Sequence, residues 1–303
     1  MKVIFLSRKD YANMGYELSK CLRTVGVDAE AYATGPHKFN YIEKAEVVPK
    51  DSNFTELTNS ADVIVFMHSE YTPINGLKNK KSFVFHGGSL YRKDFKKVND
   101  FFNPIISGAI VQTGDLLNRG AKNEKWLLPP IDLDKLLANY NKKSDSKIIM
   151  GHYPSCKPKE KGSYRINEAM SKILHNDKFV YKHAFAPMPW SDHIKRIGAC
   201  DVYIEQLRPR KGEWGIAALE AAALGCIVIT NFDSVKLYNK VYGECPIHVA
   251  STKQELTRAV YNLLEYSDDQ LVEEKKKFRR WIESYHTYKK VGQRLLGIIN
   301  DNS

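Results

Sequence analysis

Asp201–Asn231 reads DVYIEQLRPRKGEWGIAALEAAALGCIVITN, and this stretch decides the fold. A β-branched segment over Asp201–Glu205 enters a polar, glycine-containing loop. A small-residue helix over Ile216–Leu224 follows, and Gly225 leads into a second apolar run, Cys226–Thr230. Short apolar runs bounded by turn residues suit strands buried on both faces. Strand, helix and strand in this order form a βαβ unit with a right-handed crossover. A loop that feeds a helix N-terminus also leaves backbone N–H groups beside the positive end of the helix dipole, which favours an anion. Gly215 lets a ligand approach the backbone there. Taken alone, the run Ala217–Leu224 is equally satisfied by a tightly packed crossover helix.

The same alternation extends in both directions. Upstream, strands are expected at Lys147–Met150 and Phe179–His183, with helices at Tyr164–Leu174 and Trp190–Ile197. Downstream, a helix at Gln254–Glu265 precedes one long charged helix from Asp268 to Ile298. In the first half, strands at Val3–Leu6, Ala29–Ala33, Ala61–Met67, Ser82–Phe85 and Gly108–Gln112 alternate with helical stretches such as Tyr16–Val25. The pattern breaks at Pro129-Pro130, and the polar segment Asn139–Ser146 reads as an interdomain linker. The expectation is two Rossmann-like α/β domains in tandem, at 1–140 and 141–280, with 281–303 a C-terminal helix.

A chain of 303 residues suits two such domains. Its apolar runs fall short of the roughly 20 residues that span a bilayer. Met1–Asp10 reads as a first strand rather than a secretory signal. The five cysteines (Cys21, Cys156, Cys200, Cys226, Cys245) are scattered and lack CxxC spacing. That favours reduced thiols in a cytosolic setting over disulfides or zinc. Without HExxH, P-loop Lys-Ser/Thr or GxSxG, the metalloprotease, NTPase and hydrolase readings have no support. The net charge of +11 divides into +3 over residues 1–140 (19 basic, 16 acidic) and +8 over the rest (27 basic, 19 acidic). Such a balance points to acidic partners: nucleotide phosphates, nucleic acid or an anionic membrane face.

The deciding segment resembles the donor-sugar motif of GT-B glycosyltransferases, in particular the retaining glycosyltransferase family 4. Trp214-Gly215 stands where that family has a Phe- or Tyr-Gly pair. Glu220-Ala221-Ala222-Ala223-Leu224-Gly225 and Ile227-Val228 fill the places of its second glutamate, small-residue helix and following strand. Gly151-His152-Tyr153-Pro154-Ser155, then Lys161-Gly162-Ser163, is similar to the family's His-x-Pro-Ser and Lys-Gly-Thr/Ser. The resemblance is specific over residues 147–231 and weak over the first 80.

It implies an α/β protein of GT-B architecture, with two facing Rossmann-like domains and a C-terminal helix crossing back to the first. It further implies a nucleotide-diphosphate sugar, a UDP-sugar above all, as co-substrate, and transfer to an acceptor hydroxyl with retention. By the same resemblance Glu220 binds the ribose, and Lys161 the donor diphosphate. Amides at Gly215, Ile216 and Ala217 hold that diphosphate, and the loop at Phe185 contacts the nucleobase. His152, Gln206, Trp214 and Gly15 complete the expected donor contacts. The family's first glutamate touches the sugar, but only six residues separate Glu213 from Glu220, one fewer than in the family. Strict register therefore puts Gly212 at that place. Glu213 is the candidate from a rearranged loop, and Glu205 and Gln206 at the strand end are also in reach.

In the first domain, Phe85-His86-Gly87-Gly88-Ser89-Leu90-Tyr91-Arg92 follows a buried strand. Carboxyl ends of parallel strands are where open α/β sheets bind ligands. His86 is a candidate to hydrogen-bond a sugar hydroxyl near the reacting carbon, as a similarly placed histidine does in the resembling family. Gly87 and Arg92 are acceptor-side candidates. Asp10, Asp115 and His68 lie near strand ends, but spacing selects none of them as a base. The catalytic set is thus His86, Glu213 and Lys161, with no metal ligand and no essential divalent metal expected.

The acceptor stays open between a glycan, a lipid precursor, a small molecule and a hydroxylated base in DNA. The DNA option uses the charge directly through counterion release, and would require the base to be extruded. A non-catalytic nucleic-acid-binding protein is the alternative from another class. A cytoplasmic monomer or homodimer is expected, with peripheral contact to an anionic membrane or nucleic acid. Lys157, Lys159, Arg208, Arg210 and Lys211 read as loop cations near the diphosphate, and Lys275–Arg280 as a solvated helix face.

Overall fold

The computed structural model describes residues 1–37, 39–49, 54–71, 76–77, 80–137, 147–154, 157–208 and 212–301. The linker reading at 139–146, Ser155, Cys156, Arg210 and Lys211 fall outside the described residues. The chain divides into two compact units, one of residues 1–130 with 286–303 and one of residues 131–285.

The first unit begins with β1 (Lys2–Ser7), α1 (Met14–Thr24), β2 (Asp28–Ala33), β3 (Glu46–Val47), α2 (Phe54–Thr58) and β4 (Val63–Phe66). It continues through β5 (Lys81–His86), α3 (Ser89–Lys93), α4 (Phe95–Phe102), β6 (Gly108–Val111) and β7 (Lys125–Trp126). The strands form one parallel sheet in the order β3-β2-β1-β4-β5-β6-β7. Val3, Ile4, Phe5 and Leu6 of β1 are buried, as are Val63–Phe66 of β4. Their uninterrupted apolar runs follow from having both sheet faces covered.

The second unit contains α5 (Leu133–Leu137), β8 (Ile148–His152), α6 (Pro158–Lys161), α7 (Ser163–Ser171), β9 (Phe179–His183) and α8 (Trp190–Gly198). It then runs through β10 (Val202–Gln206), α9 (Ile216–Ala223), β11 (Ile227–Thr230), α10 (Val235–Tyr242), β12 (His248–Val249), α11 (Lys253–Leu264) and α12 (Asp268–Tyr285). Its sheet is parallel in the order β12-β11-β10-β8-β9. The two-residue strands β3, β7 and β12 are too short to carry a periodic signal. Strand order reverses direction between β1 and β4 in the first sheet, and between β8 and β10 in the second. Open α/β sheets bind ligands at the carboxyl ends of strands at such reversals.

The single helix expected over 268–298 is two helices. The chain passes from the second unit to the first between Tyr285 and His286, and α13 (Tyr288–Asp301) belongs to the first. Thr287 Oγ1 accepts from Lys290 N at 3.4 Å where α13 begins. The buried His286 ring donates from Nδ1 to the Pro129 carbonyl at 2.8 Å. No glycine or proline marks this break, so apolar periodicity runs straight through it. Gly292 lets α13 approach α1 closely, since a Cβ there would collide with the Cys21 carbonyl.

The basic run on α12 is solvated except at Lys275 and, in part, Arg279: Lys276, Lys277 and Arg280 are exposed. Lys275 is buried and donates to Asp201 Oδ1 at 2.6 Å, while Asp201 Oδ2 accepts from Ile149 N at 2.8 Å. Lys276 pairs with Glu273 at 2.6 Å, and Lys277 with Glu274 at 2.7 Å. Arg279 reaches Glu283 at 2.7 Å and the Ala223 carbonyl at 2.8 Å. Among the described residues, no helix is long and apolar enough to cross a membrane. Cys21, Cys200, Cys226 and Cys245 are buried and in no disulfide, and burial pushes the Cys200 and Cys245 thiols up to about 12.

Candidate functional site

The strand-order reversal of the second sheet gathers the residues of the deciding segment. Lys161 ends α6, and Gly162 follows with φ +70°; a Cβ there would strike the Leu207 carbonyl. Leu207 N in turn donates to the Lys161 carbonyl at 2.9 Å, strapping this turn to the end of β10. Lys161 Nζ donates to Glu205 Oε1 at 2.5 Å and to Gln206 Oε1 at 3.0 Å. The other Glu205 oxygen accepts from Thr230 Oγ1 at 2.9 Å and from Gly215 N at 3.2 Å. Gly215 is the N-cap of α9, and Ile216 and Ala217 open its first turn, half-buried. Lys161, Gln206, Gly215 and the α9 N-terminus therefore converge.

Glu220 lies in α9 with Oε1 accepting from Trp190 Nε1 at 2.6 Å. Phe185, just past β9, is 38% exposed and stacks on His183 at 5.2 Å and 28°. His152 is buried, which pushes its pKa down to about 4 and leaves the ring neutral. Its Nδ1 must donate to the Ile204 carbonyl at 2.7 Å, so Nε2 accepts from Ser163 Oγ at 2.7 Å. Both ring nitrogens are thus spent on bracing β8 against β10 and α7.

Glu213 and Trp214 point elsewhere. The Glu213 carboxylate accepts from Ser234 N at 3.0 Å and Ser234 Oγ at 2.8 Å. Trp214 is buried against Phe232 at 6.1 Å. The glutamate that shares the Lys161–Gly215 cluster is Glu205. Lys157 pairs with Glu160 at 3.3 Å, and the main-chain N–H of Arg208 donates to Asn231. Sequence reasoning did not find Trp190 or Thr230, because neither lies in a motif; each is placed by packing.

A second cluster lies at the reversal of the first sheet. Asp10, buried, accepts from Gly15 N at 2.7 Å and Tyr16 N at 2.9 Å, and so anchors the start of α1. A Cβ on Gly15 would stand 3.1 Å from that carboxylate. Beyond β4, His68 (φ +57°) and Ser69 (φ +61°) both occupy the left-handed region. Such backbone costs on the order of 1 kcal/mol or more per residue, and it concentrates at functional sites. His68 Nε2 is 3.4 Å from Asp10 Oδ1, and Ser69 Oγ is 2.8 Å from His86 Nδ1. His86 stacks on Tyr91 at 3.8 Å and 6°, and burial pushes its pKa down to about 3.

Gly87 backs onto His68, since a Cβ would lie 2.7 Å from its Nδ1. Asp10, His68, Ser69, His86 and Gly87 thus come together, although nothing in their spacing announced Ser69. Arg92 is committed to Asp115, with Nε donating at 2.6 Å and Nη2 at 2.8 Å, and Nη2 also reaches Thr113 at 2.7 Å. Burial would raise the Asp115 pKa, but these bonds hold it below the usual carboxylate range.

No protein family and no curated protein matches this sequence. Solved structures do. A glycosyltransferase from Rickettsia africae ESF-5 matches with a TM-score of 0.70 at 13% identity, over 99% of this chain and 98% of that one. HepE from Anabaena, solved with UDP, matches with a TM-score of 0.69 at 14% identity, over 99% and 100%. An alpha-glucosyltransferase, solved with UDP and a 13-mer DNA containing an HMU base, matches with a TM-score of 0.72 at 11% identity, over 99% of each chain. The fold is that of the GT-B glycosyltransferases. The expected α/β GT-B class therefore holds over the whole length. At these identities the likeness is one of architecture, and the GT-B plan is what it shows.

Proposed function

We propose that this protein is a glycosyltransferase that moves a sugar from a UDP-sugar to an acceptor hydroxyl with retention of anomeric configuration. The observation that carries this reading is the convergence of Lys161 and Gly215 at the N-terminus of α9, at the reversal of strand order, with Glu220 further along the same helix and held by Trp190. As the glycosidic C–O bond breaks, its electron pair leaves with the diphosphate. Lys161 and the amides of Gly215, Ile216 and Ala217 stabilise that charge in place. The acceptor oxygen bonds to the anomeric carbon on the face the diphosphate leaves, and its proton passes to a departing phosphate oxygen. No protein nucleophile is required. Glu220 takes the ribose, with Trp190 fixing its carboxylate, and the Phe185 ring faces the nucleobase.

The first unit takes the acceptor, with His86 and its neighbours as the acceptor-side groups. Because burial keeps His86 neutral, it serves as a hydrogen-bonding group and not as a proton donor of imidazolium type. The likeness to HepE and the alpha-glucosyltransferase, both solved with UDP, supports the choice of nucleotide. A glycan, lipid precursor or small molecule is the acceptor class. A hydroxylated DNA base is a second reading, favoured by the +11 charge and by the DNA-bound alpha-glucosyltransferase. Of one basic cluster, Lys275 is buried against Asp201, while Lys276, Lys277 and Arg280 stay exposed.

A thermal-shift panel of nucleoside diphosphates tests the reading. UDP is expected to raise the melting temperature, and a panel in which no nucleotide does so overturns it. Proton NMR of the product anomer then reads retention. A salt series of duplex binding decides the DNA option, which demands a steep fall of affinity with salt.

A further inference from the structure

The chemistry above leaves Glu205 without a task. It is the least exposed of the three glutamates in the deciding segment, at 1% against 7% for Glu213 and 8% for Glu220. Its carboxylate accepts from Lys161 Nζ at 2.5 Å, Thr230 Oγ1 at 2.9 Å and Gly215 N at 3.2 Å. Two of those donors, the ammonium and the N-cap amide of α9, are groups that a donor diphosphate would use. A Cβ on Gly215 would stand 2.7 Å from Glu205 Oε1 and 3.3 Å from Lys161 Nζ, so both charges press against the loop that phosphate must approach. A helix N-terminus with a nearby lysine ordinarily presents net positive potential to an anion. Here a side chain of the protein itself neutralises much of it.

We propose that Glu205 is a resident anion that sets the affinity of this site for phosphate. It holds Lys161 and the α9 amide in the place of a ligand, and it repels the diphosphate that must share those donors. The inference rests on the reading of the site as a nucleoside-diphosphate site. Lys161 remains 30% exposed on its side chain, so it can turn one N–H to an arriving phosphate while keeping Glu205 as partner. Product diphosphate is then held weakly, and Glu205 recaptures the lysine as it departs. Tyr203, on the same strand, adds no charge, because burial pushes its hydroxyl far above its ordinary range.

Calorimetric titration of UDP and of inorganic pyrophosphate tests this. Glu205→Gln keeps the shape of the side chain and removes its charge, and is expected to bind both ligands about tenfold more tightly. Lys161→Met leaves a buried carboxylate without its cation and is expected to weaken binding about a hundredfold, within the range calorimetry still reads at high ligand concentration. The double variant Lys161→Met/Glu205→Gln removes both members of the pair, and is expected to regain roughly fivefold over Lys161→Met. That recovery keeps the test sound even if Glu205→Gln alone folds poorly. Weaker binding in Glu205→Gln, or no recovery in the double variant, overturns the proposal and reduces Glu205 to a support for Lys161. If wild type and every variant bind neither UDP nor pyrophosphate, the nucleotide reading falls, and this inference with it.

Discussion

Lys161 and Glu220 are both held by partners that no motif specifies, and the sharpest tests lie with those partners. Lys161→Ala and Glu220→Ala are each expected to remove the UDP-induced rise in melting temperature, read in the same thermal-shift assay. Trp190→Phe keeps the ring packed but deletes the 2.6 Å bond to Glu220. A hydrogen bond to a charged group is worth about 1.5–3 kcal/mol, so the KM for donor is expected to rise about tenfold or more, with kcat nearly unchanged. Equal losses in kcat would show that Trp190 acts beyond positioning. Lys161, Gly215 and Glu220 were singled out because the segments around them resemble the GT-B donor motif, and Gly215 also opens a helix. Sequence reasoning misplaced Glu213, whose carboxylate is turned to Ser234, since the direction of a loop side chain has no local signature.

At the scale of elements, close approaches explain glycines that a propensity argument would count as weaknesses. In α13, Gly292 faces the Cys21 carbonyl of α1, and Gly292→Ala would force the two helices apart. Overpacking of this kind costs about 1–3 kcal/mol, to be read as a lower denaturant midpoint with an unchanged slope. The turn from α6 to α7 has the same character: Gly162 combines a positive φ with contact to the Leu207 carbonyl. The alternation of strands and helices was legible because buried parallel strands are continuous apolar runs. The break between α12 and α13 was not, because a buried histidine bonded to a distant carbonyl makes it.

For the whole molecule, buried neutral histidines couple stability to pH. Burial depresses His86 to about 3 and His152, His193 and His286 to about 4. Unfolded, each titrates near 6.5. Between these values the unfolded chain binds more protons than the native one, so stability falls as pH falls through that window. Each histidine contributes about 1.4 kcal/mol per pH unit there, and urea midpoints are expected to drop steeply from pH 6 to pH 4. Both ring nitrogens of His193 are buried with no hydrogen-bond partner among the described residues. His193→Leu is therefore expected to leave stability at pH 7 nearly unchanged or improved, and to reduce the acid slope by about one proton. An unaltered slope would locate the acid sensitivity elsewhere.

The sequence by itself determined the two-unit α/β plan and singled out the segment proposed as the donor site. Apolar periodicity and turn residues are local, and a loop feeding a helix N-terminus is written in consecutive residues. Only the tertiary structure decided which charges meet there. Glu205 reaches a lysine 44 residues away, Trp190 reaches Glu220 across 30, and Lys275 reaches Asp201 across 74. The +11 excess was legible as a number, but which cations are buried in long-range pairs was not. Spacing along the chain encodes only the i,i+3 and i,i+4 pairs of α12; the long-range pairs depend on distances that exist only once sheets and helices have packed.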